Sequence, residues 1–409
     1  MHQQFSFLRG YTKHLTAVNL FDRSAALVLL ITLVPVFLIN TIMALCLGKN
    51  PVQAQALQDA MGRLVIFQRW SAGICRSSLL LLQVLGGKLS LCGVSLRHSC
   101  EDDDILLRSG IKAGIFSLHE VHRSIGFIEM SHGDSIRYHQ RHQGLGFHIG
   151  VLAKAIFCRL VYGVSSYYAP EQFHILGLRV DNLRLVDAVN LIFSPIKGAC
   201  RSVCFVNVNS VNISCENVKF RDCVNKANYV LADGSGVRIG ARRMGIHLRD
   251  NINGTDLLPH ICRRAVKADK SLFLMGAEPG IAERTAANLK EQFPNLRIAG
   301  THHGYFSSAD NDKVVKDINR SNADILFVAM GSPYQEQWIA ENKYRLHTSV
   351  AMAVGGLFDF YSGKISRAPQ WMREMGLEWI YRLAMEPRVK FNRYVIGNPL
   401  FLWRLILAS

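Results

Sequence analysis

The feature that most constrains this chain is a series of short, nearly continuous apolar runs, each stopping on glycine or a polar residue. They are Val203-Cys204-Phe205-Val206-Asn207-Val208-Asn209, Tyr229-Val230-Leu231-Ala232, Ser271-Leu272-Phe273-Leu274-Met275-Gly276, Leu296-Arg297-Ile298-Ala299-Gly300, Asp324-Ile325-Leu326-Phe327-Val328-Ala329-Met330-Gly331 and Val350-Ala351-Met352-Ala353-Val354-Gly355-Gly356. Runs without polar alternation suit strands buried on both faces, and the helix-length segments between them call for a mainly parallel sheet covered by helices. The expected fold is α/β, Rossmann-like, over residues 166–365.

One of these runs ends on Asp233-Gly234-Ser235-Gly236. A strand stopping on an acid and glycines delivers Asp233 to the C-terminal edge of the sheet, where open α/β sheets hold ligands. Beside Gly234 and Gly236, with no side chains to crowd a substrate, Asp233 could accept a proton from a hydroxyl nucleophile. Capping of the next helix is the competing role.

The other strand ends share a chemistry. Gly276-Ala277-Glu278-Pro279-Gly280 opens an amphipathic stretch, so backbone N–H groups and a helix N-terminus could face a phosphate. Gly331-Ser332-Pro333-Tyr334-Gln335-Glu336 repeats the geometry: Gln335 could hydrogen-bond a base, sugar or phosphate, and Glu336 could favour the helix N-terminus. Tyr305, in His303-Gly304-Tyr305-Phe306, offers a ring for stacking on a base, or for the core. Gly254-Thr255-Asp256 opens a helix, with capping the alternative for Thr255 and Asp256.

Taken in order, these motifs resemble glycosyltransferase family 26, the N-acetylmannosaminyl and N-acetylmannosaminuronic acid transferases of teichoic acid, common-antigen and capsule assembly. The resemblance begins near Leu176 and continues through Gly355-Gly356-Leu357-Phe358-Asp359, Arg367-Ala368-Pro369 and Glu378-Trp379-Ile380-Tyr381-Arg382-Leu383. It implies Asp233 as the base, with Asn207, Asn209, Tyr305, Gln335 and Asp359 around a UDP-sugar. Asn207 stands where many members have threonine, and Tyr334 where a lysine is usual. The resemblance also implies a C-terminal appendage, residues 366–409, that approaches the membrane and lends arginines to the site. Arg367, Arg382, Arg388 and Arg393 are the candidates, whereas Val389 and Asn392 occupy places where arginine is common.

The first 165 residues have another texture. Residues 25–47 are almost continuously apolar between Arg23 and Lys49, with Pro35 in the middle. That length can enter a bilayer, and a proline bend allows either a span or a helix-break-helix that dips into one leaflet; a buried helix is the soluble alternative. Phe21-Asp22-Arg23 before this segment and Gln83-Val84-Leu85-Gly86-Gly87-Lys88-Leu89-Ser90-Leu91-Cys92-Gly93 after it are similar to bacterial polyprenyl-phosphate sugar-1-phosphate transferases. The likeness departs at Val94-Ser95-Leu96, where that family has Pro-Arg-Pro, and no Asp-Glu pair lies between Phe67 and Leu79. Asp102-Asp103-Asp104 reads as a solvated loop or helix start. This part is therefore expected to be a shortened, inactive relative retained as a mostly helical membrane anchor or docking surface.

Charge and cysteine use set the remaining bounds. A formal charge of +16 implies an anionic partner. Ten cysteines without a Cys-x-x-Cys pair or a Cys/His ligand spacing indicate neither zinc nor a disulfide framework. His119 and His122 could share a helix face, yet no carboxylate completes a ligand set. The basic tail interleaves its cations with Trp371, Trp379, Phe391, Tyr394 and Trp403, which suits a lipid headgroup interface and a diphosphate. Nucleic acid is not expected, because no nucleic-acid module accompanies it.

Together these readings give an inverting, metal-independent glycosyltransferase without cofactor. It moves an N-acetylhexosamine, expected to be N-acetylmannosamine or its uronic acid, from a UDP-sugar to a polyprenyl-diphosphate-linked saccharide at the cytoplasmic face of the bacterial inner membrane. A homo-oligomer is left open. The alternatives are a bifunctional chain with residual sugar-phosphate transfer and a non-catalytic membrane scaffold.

Overall fold

The computed structural model describes residues 2–58, 64–95, 111–126, 130, 132–162, 168–195, 198, 200 and 201–408. The acidic run Asp102-Asp103-Asp104 and Leu96 lie outside them. The chain forms two compact units, residues 1–124 with 129–163, and residues 125–128 with 164–409.

In the first unit the apolar segment is broken. The His2–Thr32 helix meets the Val34–Cys46 helix at Leu33, and the stretch Thr16–Thr32 is bent by 55° against Val34–Cys46. Pro35, in the first turn after the break, has no N–H to continue the ladder and its ring crowds the preceding turn. Leu27, Ile31, Leu38, Ile42 and Leu45 are exposed along both arms.

Asn40 is fully buried on the second arm, where its amide donates to the Ile74 carbonyl (2.8 Å) and accepts from the Ile74 N–H (2.8 Å). Asp22 is the corresponding tie on the first arm. It accepts from Ser90 Oγ at 2.5 Å and from the Leu91 N–H at 3.1 Å, and its second oxygen meets His148 Nε2 at 2.7 Å. The two motifs that were similar to the sugar-phosphate transferases are therefore bonded to each other. His148 lies on the apolar Leu145–Tyr162 helix, which by length and composition could cross a membrane. Burial and His148 push the His139 imidazole down to about 4. Among the described residues no three His, Cys, Asp or Glu side chains group as metal ligands.

The second unit is built on a six-stranded sheet in which every pairing is parallel. Its order is Arg297–His302, Ser271–Gly276, Ile325–Ala329, Val350–Ala353, Arg201–Val206, Tyr229–Ala232. Alternate residues feed two separate cores: Cys204, Val206, Phe273, Met275, Leu326 and Val328 on one face, and Val203, Phe205, Leu272, Leu274, Ile325 and Phe327 on the other. Side chains on a strand alternate sides, so a run apolar at every position requires helices on both faces, as the runs implied.

The Tyr229–Ala232 strand lies at one edge, and the Gln172–Ile175/Leu178–Asp181 hairpin flanks it: Asp181 Oδ2 accepts from the Val230 N–H at 2.7 Å. The C-terminal residues belong to this unit as well. The Gly397–Leu407 helix sends Phe401 and Leu405 into one of the two cores, and Arg404 clamps it to Asn212 and Glu216, reaching Glu216 Oε1 at 2.6 Å.

Candidate active site

Asp233 leaves the edge strand with its N–H still bonded to the Val206 carbonyl at 2.8 Å, so its backbone continues the sheet while its side chain projects past the strand end. The next helix, Ser235–Arg243, is capped by Gly234 without any side-chain bond, which removes capping as the role of Asp233. Gly234 has φ +92°, a left-handed conformation that only glycine adopts without strain, and its N–H donates to Asn251 Oδ1 at 2.6 Å.

The Asp233 carboxylate is half-buried and is held by Asn207, whose Nδ2 donates to Oδ2 at 3.1 Å. Asn207 is itself fixed, since its Oδ1 caps the Val208–Glu216 helix by accepting from the Ser210 N–H at 3.2 Å. Burial pushes the Asp233 carboxyl above the usual carboxylate range, against the opposing pull of Asn207, Arg393 and Arg382; nearby Asp256 adds to the rise. A carboxylate with a raised proton affinity, reached by solvent and faced by cations, can act as a general base.

A chain of charged groups runs on from Asp233. Asp256 is bonded by Asn253 Nδ2 at 2.7 Å and pairs with the Arg367 guanidinium. The cap of the Gly254–Lys267 helix is Asn253, so neither Thr255 nor Asp256 caps; Thr255 offers its carbonyl to the Tyr361 hydroxyl at 2.9 Å. Glu378, at the start of the Glu378–Met385 helix, is pushed up by burial and by the charges of Asp256 and Asp233, with Arg367 and Arg373 opposing. The loop before that helix is tied to the Asp233 turn by Ser235 Oγ donating to the Gly376 carbonyl at 3.1 Å.

Arg382, one helical turn beyond Glu378, lies over the Phe360 ring at 4.6 Å and beside Asp359. Asp359 is raised by burial, with Lys364 and Arg382 opposing. Arg393 sits in a wide π-turn, Asn392–Ile396, of the kind that interrupts helices at functional sites. Arg382 and Arg393 are both half-buried, and their positive charges pull on the Asp233 carboxyl.

Other expected residues serve the fold. Gln335 is buried: its Oε1 accepts from the Gly331 N–H (3.2 Å) and the Gly355 N–H (2.9 Å), and its Nε2 donates to Glu336 at 2.9 Å. Its amide therefore staples two strand-end turns together. Glu336 is also buried and accepts from Ser332 Oγ at 2.7 Å.

Gly236 is required by packing. A Cβ there would stand 2.1 Å from Val208 Cγ2 and 3.9 Å from the Phe401 ring, so the missing side chain makes room for neighbouring side chains and not for substrate. Gly276 lies against the backbone of Ala329, where a Cβ would be 2.3 Å from the carbonyl oxygen. Asn209 falls in the first turn of the Val208–Glu216 helix, Tyr305 is exposed beyond the Arg297–His302 edge strand, and Arg388 is exposed.

Lys390 and Glu386 were not singled out as site residues, although they lie in the Arg382 cluster. Their spacing of four was visible in the sequence, but the three stand on two helices joined at Glu386.

Comparison with known proteins agrees with this geometry. Residues 173–409 match the family model of the Glycosyl transferase WecG/TagA/CpsF family. An N-acetylglucosaminyldiphosphoundecaprenol N-acetyl-beta-D-mannosaminyltransferase of Staphylococcus aureus (strain MW2) is 32% identical over 238 residues, 58% of this chain and 92% of that protein. The protein of the same name from Bacillus subtilis (strain 168) is 36% identical over 166 residues, 41% of this chain and 64% of its own length. The half-buried Asp233 at a parallel-sheet edge, the arginines facing it and a match spanning the whole sheet lead to one statement: this chain belongs to the WecG/TagA/CpsF family and is a glycosyltransferase.

Proposed function

We propose that the chain transfers an N-acetylhexosamine of the mannosamine type from a UDP-sugar to an N-acetylglucosamine linked through a diphosphate to a polyprenyl carrier, inverting the anomeric centre. The names of the Staphylococcus and Bacillus relatives support this acceptor and this sugar. The observation that carries the mechanism is Asp233, solvent-reachable, fixed by Asn207 and faced by Arg382 and Arg393. The acceptor hydroxyl loses its proton to Asp233 as its oxygen attacks the anomeric carbon; the bond to UDP breaks, and the cations balance the charge on the departing diphosphate. With those cations supplied by the protein, transfer proceeds without a metal or other cofactor.

The first unit serves as the membrane attachment. Its exposed apolar faces on the broken helix and on the Leu145–Tyr162 helix support insertion into a membrane, which at the cytoplasmic face would hold the enzyme where lipid-linked acceptors are found. The test is UDP release by the full chain in detergent, with UDP-N-acetylmannosamine and a diphosphate-lipid-linked N-acetylglucosamine. Transfer that disappears in Asp233→Asn supports the reading, and undiminished UDP release by that variant overturns it.

A further inference from the structure

We propose that Glu386 is a built-in counter-ion that fills a diphosphate seat while the site is empty, and that Arg382 and Lys390 are the two cations it holds for the incoming diphosphate. The inference rests on the glycosyltransferase reading above and adds to it a residue, Lys390, and a displacement step.

The geometry is that of a loose hold. Glu386 Oε2 lies 3.7 Å from Arg382 Nη2 and 3.6 Å from Lys390 Nζ, so two cations share one oxygen and neither approaches to hydrogen-bond distance. Glu386 Oε2 and Arg382 Nε are both buried, and neither makes a hydrogen bond. Some ion pairs elsewhere in this chain close more tightly, at 3.0 Å for Lys364 and Glu278 and at 2.6 Å for Arg404 and Glu216, while Lys364 and Asp359 also stand apart, at 3.8 Å. Half-buried charges left at the longer spacing keep part of their desolvation cost and gain from a better acceptor.

The surroundings suit that acceptor. Phe360 supports the flat face of the Arg382 guanidinium, leaving its N–H edges to a ligand. Gly356 presents no side chain to the same guanidinium, where a Cβ would lie 3.2 Å from Nη2. Glu386 occupies the joint between the Glu378–Met385 and Pro387–Phe391 helices with φ −130° and ψ 59°, outside the helical region, so it can turn away without unwinding either helix. The Lys390 ammonium is held below the usual lysine range by burial, then by Arg382 and Arg393, with Glu386 and Asp359 opposing. An anion entering here relieves that repulsion. A diphosphate fits, because its oxygens only accept and span two cations at once. Its source is the nucleoside diphosphate of the donor or the polyprenyl diphosphate of the acceptor.

The experiment is calorimetric titration of the full chain in detergent with UDP, UMP, inorganic pyrophosphate and farnesyl diphosphate, for wild type, Glu386→Gln and Lys390→Met. Glu386→Gln is isosteric, and thermal unfolding checks both variants. Losing the internal anion is expected to tighten diphosphate binding on the order of fivefold, losing Lys390 to weaken it roughly tenfold, and UMP to respond by less than about twofold. Tightening toward UDP assigns the seat to the donor, and tightening toward farnesyl diphosphate alone assigns it to the acceptor; either supports the proposal. Wild type that binds UDP with both variants unchanged, or a folded Glu386→Gln that binds more weakly, overturns this inference and leaves the glycosyltransferase reading intact. Wild type that binds none of the diphosphates overturns this inference and the proposed UDP-sugar donor with it.

Discussion

Asn207 does two jobs with one amide, and replacing it separates them. Its oxygen caps the Val208–Glu216 helix and its nitrogen donates to Asp233. Asn207→Ala loses the cap, about 1 kcal/mol of stability. It also loses a hydrogen bond to a charged group, worth about 1.5–3 kcal/mol in favour of the ionised form. The second loss removes a group that opposes the rise, so the Asp233 pKa moves further up.

A base must be ionised, so the acid limb of kcat/KM moves to higher pH, while the plateau above it changes only as far as the cap matters. Asn207→Thr keeps a capping oxygen and a hydroxyl donor and should leave the limb near its wild-type position. Asn207→Asp keeps the cap but sets a second carboxylate against Asp233, so one of the two retains a proton and the limb moves further up than in the alanine variant. The assay is UDP release against pH at subsaturating donor. A limb that stays fixed or moves down in Asn207→Ala, or one that moves down in Asn207→Asp, refutes the assignment of Asn207 as the group that holds Asp233 ionised.

Other outcomes follow from the same geometry. Because burial raises the Asp233 pKa in the folded state, its contribution to stability is full below the unfolded carboxylate value and is lost as pH rises through the folded pKa. Asp233→Asn should therefore show an unchanged or higher Tm at neutral pH while losing transfer; a marked fall in Tm would contradict the sign. Phe401, 1% exposed and packed at Gly236 and Gly240, should lose about 3–5 kcal/mol on truncation to alanine in urea unfolding, with kcat/KM falling as Arg393 loses its mounting. Gly234→Ala meets no atom within 4 Å, so its loss should be the backbone cost alone, about 1–2 kcal/mol at φ +92°. Prolonged dialysis against EDTA should leave the rate unchanged, and a rate restored only by Mg²⁺ or Mn²⁺ would place the diphosphate charge on a metal and not on Arg382, Lys390 and Arg393.

Local sequence carried a large part of this protein. Uninterrupted apolar runs can be buried only between two layers, so the parallel sheet and its helical faces were readable before any coordinates. Asp233-Gly234 was readable for the same reason: an acid after such a run lands at a strand end, and a glycine after it permits the turn. The bend at Pro35 followed from a missing N–H. The jobs of the neighbouring small and polar residues were not readable, because they depend on what arrives from far along the chain. Gly236 looked like room for a substrate, but Val208 and Phe401 lie against it, and the sequence did not show that Gln335 would tie the Gly331 and Gly355 turns together. The tail showed the same limit. Its arginines were visible as charges, but which of them would be partly buried was decided by packing: Arg393, in the π-turn, is half-buried, Arg404 is tied to Asn212, and Arg388 stays exposed. Sequence determines what a residue can do chemically and which face of its own element it occupies; which groups it meets there is a matter of long-range packing, and only the tertiary structure decides that.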